Sequence, residues 1–226
     1  MFSLIADNTN PNSLAAKSRA KRIEFFKQKV KALGRPVKIL DVGGTQHFWE
    51  AMGFDLTEGS EIYLLNLRHQ PVSSRQFFSL KGNAVDLSSF GDNHFDIVFS
   101  NSVIEHLFSW ENQCKMASEI QRVGQYYFIQ TPNYWFPIEP HFVFPLFQYL
   151  PKELQIKMTE NFNLGHIRKA KSRASAEAIV NEIKLLTINQ MENLFPDCAI
   201  YLDKIFGLNK SIIAHNFDQP KLETDD

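Results

Sequence analysis

Strand-like and helix-like segments alternate along this chain, and a hairpin closes the series. The apolar runs before the hairpin lie at residues 37–42, 62–67, 77–80, 95–100 and 125–130. Alternation of this kind favours a parallel sheet covered by helices. The later stretch "CAIYLDKIFGLNKSIIAH" predicts two strands around Gly207, and therefore an antiparallel pair. We expect an α/β fold with a seven-stranded, mostly parallel sheet, an antiparallel last strand and helices on both faces.

The first predicted helix begins after Ser13 and ends before Gly34. Its apolar residues recur at three- and four-residue intervals, which is typical of a helix that buries one face. These positions are Ala16, Ala20, Ile23, Phe26, Val30 and Leu33. The rest of the helix is strongly basic, which favours a solvated face. We expect a helical cover at residues 1–35, a main domain at 36–217 and a polar tail at 218–226.

Composition excludes several classes of protein. The chain has 226 residues, 44% of them hydrophobic and 22% charged, which is ordinary for a globular domain. A formal net charge of −1 argues against a generally phosphate-binding surface. Cys114 and Cys198 lie in apolar stretches and are expected to be reduced core residues of a cytoplasmic protein. No stretch approaches the roughly 20 apolar residues that cross a bilayer.

The stretch "KILDVGGTQHFW" runs from a buried strand into a glycine turn. In open α/β folds, ligands bind at the carboxyl edge of the sheet, where this turn is expected. Gly43 and Gly44 would let the main chain approach a ligand closely, or they could form only a tight turn. A dinucleotide fingerprint needs a third glycine where His47 stands, and a phosphate-binding Walker loop needs a Gly-Lys-Ser/Thr sequence that does not follow.

Polar residues also follow the later strands of the predicted sheet. Asn66 ends the second strand in "YLLNL", and Asp86 follows the third strand in "KGNAVDL". Ser100 and Asn101 end the fourth strand in "FDIVFSNSVIEHL". Because parallel strands end at the same edge of the sheet, these side chains are expected to lie near the glycine turn.

With these motifs in this order, the chain resembles the class I S-adenosylmethionine-dependent methyltransferases. The likeness is to the broad group of small-molecule methyltransferases with a "DVGG" first motif. It spans roughly residues 37–216, including the "TPN" after the fifth strand and the reversed last strand. The resemblance implies a Rossmann-like fold, S-adenosyl-L-methionine as cofactor and methyl transfer to a small-molecule acceptor.

The resemblance also implies roles at the first motif. Asp41 would orient the amino group of the cofactor's methionine portion, directly or through water, while Gly43 and Gly44 pass beneath the cofactor. Independently of the resemblance, the first helix has a dense basic face and directly precedes the first strand, so we expect it to close over the cofactor, with Arg19 or Arg22 reaching the cofactor's carboxylate. We therefore expect Gly43→Val or Asp41→Ala to abolish cofactor binding without unfolding the protein. The motif departs from the family pattern, since it has two glycines instead of three.

Further roles follow for the other strand ends. Asn66 would contact the ribose, although an acidic residue is commoner at this position and bonds a hydroxyl more strongly. Asp86 and Leu87 would hold the adenine. Ser100 and Asn101 would border the methionine portion and the reacting methyl group.

The segment after the fifth strand, "TPNYWFPIEPHFVFPLFQYLP", is expected to be a lid over the methyl group, within an insertion at about residues 133–172. Its titratable side chains other than tyrosine are Glu139 and His141. A histidine titrates near neutral pH and can accept a hydroxyl proton. His141 is therefore the candidate catalytic base, and Glu139 is placed to pair with it. The alternative is that His141 only bonds the backbone of a rigid lid.

The motif "VIEHL" raises the question of a metal. Some class I methyltransferases, such as the small-RNA 2′-O-methyltransferases and the ubiquinone-pathway O-methyltransferases, bind a divalent metal through Glu-x-x-Glu-His at this place. Here Ser102 stands at the first position, so one ligand is missing, while Glu105 and His106 remain. His141 and His166 could complete a set. We expect no metal, with Glu105 and His106 lying behind the cofactor loop.

The leading hypothesis is an O-methyltransferase acting on a sugar, a lipid-linked compound or a secondary metabolite. A nucleic-acid methyltransferase would need a basic surface with interleaved aromatics, whereas only the first helix is basic. A base-amine motif of the Asn-Pro-Pro-Tyr type is also replaced by "SNSV". A non-catalytic partner protein with the cofactor fold remains open because of the reduced glycine motif. Weak membrane-surface contact by the aromatic lid is a further alternative.

Overall fold

A computed structural model describes residues 13–54 and 57–218. The first twelve residues of the predicted cover and residues 219–226 of the predicted tail lie outside this part. The elements of the main sheet are β1 (Lys38–Val42), β2 (Glu61–Asn66), β3 (Phe77–Lys81), β4 (Phe95–Asn101), β5 (Gly124–Pro132), β8 (Ala199–Ile205) and β9 (Leu208–His215). The helices are α1 (Leu14–Ala32), α2 (Gln46–Ala51), α3 (Trp110–Val123), α4 (Lys152–Asn161), α5 (Arg173–Glu182) and α6 (Ile188–Leu194). β6 (Ile138–Glu139) and β7 (Phe144–Pro145) form a two-stranded sheet, and two short 3-10 helices span Ile104–His106 and Phe147–Tyr149.

The seven strands of the main sheet are ordered β3-β2-β1-β4-β5-β9-β8. The first five strands are parallel, and β9 is antiparallel to both β5 and β8. The hairpin closes at Phe206 and Gly207, which both have positive φ, the geometry of a tight two-residue turn. The predicted α/β, Rossmann-like sheet with an antiparallel last strand is confirmed.

Helices cover both faces of the sheet, as predicted. On one face, α3 contributes Met116 and Ile120 to a core that includes Leu40 and Val98. On the other face, α1 contributes Ile23 and Phe26 to a second core that includes Phe99 and Phe128. Residues of β1 and β4 alternate between the two cores because successive strand side chains point to opposite faces.

The first helix is part of the core. Ser13 caps it by accepting from the N–H of Ala16 at 3.0 Å, as the sequence predicts for its start. Phe26 is fully buried and packs on the rings of Phe99 and Phe128 at 4.9 and 5.0 Å. Deleting this helix would expose one face of the sheet, so a variant without it would lose stability as well as any contact of the helix with the cofactor.

The chain between β5 and α6 forms a third packed unit. Phe142 and Phe147 stack at 3.9 Å in a hydrophobic cluster that extends to Ala176 and Val180 of α5. The lid thus packs on α5, and the predicted bounds of the insertion, about residues 133–172, remain a prediction. Its outer surface carries exposed apolar side chains, among them Trp135 at 64% exposure. Among the described helices, none combines the length and apolar character needed to cross a membrane.

Candidate active site

Three parallel strands bring the predicted binding residues to one edge of the sheet. Val42 at the end of β1 is in register with Leu65 of β2 and with Ser100 of β4. Along the chain, the glycine turn follows Val42, Asn66 follows Leu65, and Asn101 follows Ser100. The strand pairing therefore places the ends of the first, second and fourth motifs side by side, as the sequence predicts.

The glycine turn is shaped by side chains of the protein itself. Gly43 has φ +83°, which favours glycine, and its N–H donates to the carbonyl of Leu65 at 2.8 Å. A Cβ on Gly43 would overlap the side chain of Val103, and one on Gly44 would overlap the carboxylate of Asp41. Gly43→Val would thus strain the turn. The substitution would lower stability as well as affect cofactor binding, contrary to the expectation from the sequence.

Asp41 lies behind this turn and not in an open cleft. Its side chain is buried, and Oδ2 accepts from Nε1 of Trp49 at 2.6 Å. Burial raises the pKa of Asp41 to about 7, against the smaller effect of the Trp49 hydrogen bond. Trp49 was missed in the sequence, where it looks like an ordinary apolar residue of α2. Asp41→Ala would leave the indole N–H without its acceptor, so this substitution also affects folding.

Asn66 and Ser100 each hydrogen-bond the main chain of the first motif at this edge of the sheet. Nδ2 of Asn66 donates to the carbonyl of Gly44 at 2.9 Å. Oγ of Ser100 is buried and donates to the carbonyl of Val42 at 3.2 Å. The contacts predicted for these residues with the ribose and the methionine portion remain predictions. For Asn66 such a contact would use the side-chain oxygen or the second N–H, since one N–H of the amide already donates to Gly44.

Asp86 and Leu87 differ in what they can offer a ligand. The Asp86 carboxylate is exposed, and hydrogen bonds from Ser88 lower its pKa, so it is ionised at neutral pH. Leu87 is a buried core residue whose N–H donates to Oε2 of Glu119 at 2.5 Å. An adenine contact by the Leu87 amide would require Glu119 to move, whereas Asp86 is free to accept from an exocyclic amine.

Arg22 reaches the end of β4 from α1. Its guanidinium donates to Oδ1 of Asn101 at 3.1 Å and pairs with Asp203 at 3.2 Å. Burial lowers the pKa of Arg22 to about 10, opposed by Asp203. Its buried Nε has no partner among the described residues. The predicted contact with the cofactor's carboxylate remains a prediction, and the carboxylate would share Arg22 with Asp203.

Glu139 and His141 form the pair that the sequence suggested. Nδ1 of His141 lies 2.7 Å from Oε1 of Glu139. The chain folds back here, since the N–H of Val143 donates to the carbonyl of Glu139 at 2.8 Å. Oε2 of the buried Glu139 also accepts from the N–H groups of His141 and Phe142 at 2.7 and 2.6 Å. Three donors thus fix this carboxylate, which in turn orients the imidazole.

The charges around His141 favour its protonated form. Burial by itself lowers the pKa of His141, but the hydrogen bond that the ring donates to Glu139 and the charges of the Glu139, Glu105 and Glu182 carboxylates outweigh it. The pKa of His141 is therefore raised above its ordinary value. The imidazole side chain retains 20% exposure, so a ligand can reach it.

His141 lies against the segment that follows β4. Its ring meets that of His106 edge-on, with centroids 4.8 Å apart. His106 in turn lies 3.2 Å from Glu182, through Nδ1. The strand-four loop and the lid, predicted separately from the sequence, therefore meet through these two histidines.

Glu105, His106 and His141 could together hold a divalent metal. One ligand atom from each lies within 4.8 Å of the others, and the grouping does not include His166. Glu105 is fully buried and burial raises its pKa; Oε2 accepts from Thr131 at 3.0 Å, while Oε1 has no partner among the described residues. That atom would suit a cation. These residues offer three ligands. Ser102, which stands where the metal-dependent families have a first glutamate, donates its hydroxyl to Oε1 of Gln130 at 3.0 Å.

Parts of the chain match a known protein family and two curated proteins. Residues 32–126 match the family model described as "Methyltransferase domain". Two uncharacterized proteins of Mycobacterium tuberculosis are each 37% identical to the chain over 67 residues, which is 30% of this chain. The match spans 22% of the length of those relatives.

Solved structures extend the likeness to most of the chain. A protein from Pyrococcus horikoshii OT3 is 16% identical and covers 95% of this chain and 96% of its own, with a TM-score of 0.50. Magnesium protoporphyrin IX methyltransferase from Synechocystis PCC 6803, solved with bound SAH, is 11% identical, covers 88% and 83%, and has a TM-score of 0.50. At these identities the likeness is one of fold.

Proposed function

Residues 32–126 of this chain belong to the class I S-adenosylmethionine-dependent methyltransferases, and from that premise we propose that the protein methylates a small molecule. The acceptor atom in this proposal is an oxygen. The pair of His141 and Glu139 at 2.7 Å is the observation that supports oxygen, because a hydroxyl loses a proton as it is methylated.

The residues at the carboxyl edge fit S-adenosyl-L-methionine. The turn at Gly43 brings the main chain close to the edge, and Asp86 presents an exposed, ionised carboxylate at the end of β3. Asn66 adds an amide group between these points, and Asn101 adds another at the end of β4, on the other side of β1. The bound cofactor supplies an electrophilic methyl group, so the protein has to orient the acceptor, exclude water and remove a proton.

In this proposal the lid residues perform the proton transfer. Glu139 holds Nδ1 of His141 and thereby sets the tautomer in which Nε2 can accept a proton. The carboxylate of Glu139 then stabilises the imidazolium that forms. Glu139 is a positioning residue, since its oxygens are occupied by His141 and Phe142.

We expect the purified protein to bind S-adenosylmethionine, and Asp86→Ala to weaken that binding about tenfold through loss of a charged hydrogen bond. Because Asp86 is exposed, this substitution should leave the melting temperature nearly unchanged. Asp92→Ala is the matched control, as Asp92 is another exposed aspartate of the same loop region. Titration calorimetry measures the affinity of both variants for S-adenosylmethionine, and thermal unfolding measures their melting temperatures. Absence of binding heat with S-adenosylmethionine and with its demethylated product, from folded wild-type protein, would contradict the proposed function.

We also expect turnover to survive removal of divalent metals. The same imidazole lone pair cannot bind a cation and accept a proton, so a base at His141 requires a metal-free imidazole. Activity should stay the same after dialysis against a chelator and after addition of zinc, manganese or magnesium ions. Activity that disappears with the chelator and returns with one of these ions would assign Glu105, His106 and His141 to a metal instead.

A further inference from the structure

A cavity of about 390 Å³ lies beneath the lid, between the lid, the start of α3 and the end of α5. Its volume is within the range of small-molecule sites. Apolar side chains form much of its wall, from Trp110, Phe142, Phe147, Val180 and Ile183. None of the residues assigned to the cofactor lines the cavity, so it leaves room for a second ligand.

Lys152 and Lys184 give this cavity its positive charge. Nζ of Lys152 donates to the carbonyl of Val180 at 3.3 Å, and within residues 13–54 and 57–218 neither lysine forms an ion pair. Burial lowers the pKa of Lys152, and the nearby Lys184 ammonium lowers it further. Two neighbouring cations without a carboxylate partner repel each other, and a bound anion would remove that repulsion.

Glu139 also lines the cavity, but among the described residues its carboxylate pairs with His141 and forms no ion pair with either lysine. Its two oxygens are taken by the backbone of His141 and Phe142 and by the His141 ring. Gln148 contributes a different unsatisfied group. Its Nε2 donates to the carbonyls of Tyr134 and Phe136 at 3.1 and 2.7 Å, whereas its buried Oε1 has no partner among the described residues. A donor on a ligand would satisfy that oxygen.

The geometry points to this cavity as the acceptor site, for an acceptor with an apolar body and an anionic group, carboxylate or phosphate, held by Lys152 and Lys184. A hydroxyl or N–H on the acceptor would donate to Oε1 of Gln148. Glu139 connects the cavity to the proposed base, because it lines the wall and bonds His141. This assignment of a substrate class rests on the proposed function.

The test uses simple probes and the full chain without cofactor. Phenylacetate and phenyl phosphate carry the anion, and 2-phenylethanol has the same apolar ring without it. We expect calorimetry to show at least about tenfold tighter binding of one or both anions than of the alcohol, since each lysine adds a charged hydrogen bond. The double variant Lys152→Met and Lys184→Met should lose this preference and keep its affinity for the alcohol. Lys157→Met, on the outer face of α4, is the control and should behave as wild type.

The outcomes separate this inference from the function on which it rests. Equal binding of anions and alcohol, no binding of any probe, or an anion preference that persists in the folded double variant would overturn the acceptor assignment. Titration with S-adenosylmethionine is an independent measurement on the same protein. If the cofactor binds and the probes do not, only the acceptor site is wrong. If the probes bind through the lysines and the cofactor does not, the cavity binds anions but the methyl-transfer proposal fails. The tighter of the two anions identifies the group.

Discussion

Replacing His141 by asparagine is expected to slow methyl transfer by a few hundredfold or more. A general base contributes on the order of 10²–10⁴ in rate, and asparagine keeps much of the shape but cannot take a proton. Affinity for S-adenosylmethionine should change little, because His141 lies in the lid and not at the glycine turn. Single-turnover rates with an identified acceptor, together with calorimetry for the cofactor, measure the two effects separately.

The pH dependence distinguishes a base from a residue that only shapes the lid. Since the pKa of His141 is raised, the acidic limb of the rate profile should lie at higher pH than an unperturbed histidine would give. Glu139→Gln removes the carboxylate that raises this pKa, so the limb should shift to lower pH while transfer slows. In His141→Asn the limb should disappear.

A surface histidine provides the control for these measurements. His94 is exposed at the opposite end of β4, where it contacts Lys38, so His94→Asn should leave rate and pH profile as in wild type. Near-wild-type turnover in folded His141→Asn would show that His141 shapes the pocket and transfers no proton. An unchanged acidic limb in Glu139→Gln would show that another group titrates there.

Asp41→Asn is expected to stabilise the protein at pH 8 by about 2–4 kcal/mol. Burial raises the pKa of Asp41 from 3.8 to about 7, a difference of about three units at roughly 1.4 kcal/mol each. The contribution of the protonated carboxyl to stability is fully present below about pH 4 and is lost as the pH rises through about 7. Asparagine does not ionise, and its oxygen can still accept from Trp49.

Urea unfolding of both proteins at several pH values tests this expectation. The gain from Asp41→Asn should be largest near pH 8 and should fall towards zero near pH 4. Asp92→Asn, at an exposed site, is the control and should show no such trend. A gain that is equal at all pH values, or a variant less stable at pH 8, would mean that Asp41 is held as a carboxylate. Calorimetry on the same variant also tests the predicted contact of Asp41 with the cofactor.

Much of the fold could be predicted from local patterns in the sequence. The spacing of Ile23 and Phe26 predicted the buried face of α1, and Ser13 its start, because a helix repeats every 3.6 residues and its first N–H groups need an acceptor. The reciprocal cap of Thr187 and Gln190 at the start of α6 is equally local. Strand alternation and the turn at Gly207 then predicted a mostly parallel sheet with a reversed last strand, whereas the order of the strands came from the structure.

The same patterns predicted which edge of the sheet holds the candidate site, but not the partners of its side chains. Asp41 is bonded to Trp49, eight residues away, and Asn66 holds the carbonyl of Gly44 across two strands. The Leu87 amide is taken by Glu119, which lies 32 residues further along the chain. Contacts between distant segments depend on how helices pack on the sheet, which the spacing of apolar residues does not encode.

The sequence by itself determined a parallel sheet with a reversed strand, a glycine turn at its carboxyl edge and an imidazole with a neighbouring carboxylate. Only the tertiary structure brought His141 to His106 and enclosed a cavity with Lys152 and Lys184. The physical reason is that periodicity and turn chemistry act over a few residues, whereas pKa values and cavities arise from burial and from charges on separate segments. The insertion after β5 has no repeating pattern, so its packing decided where these groups meet.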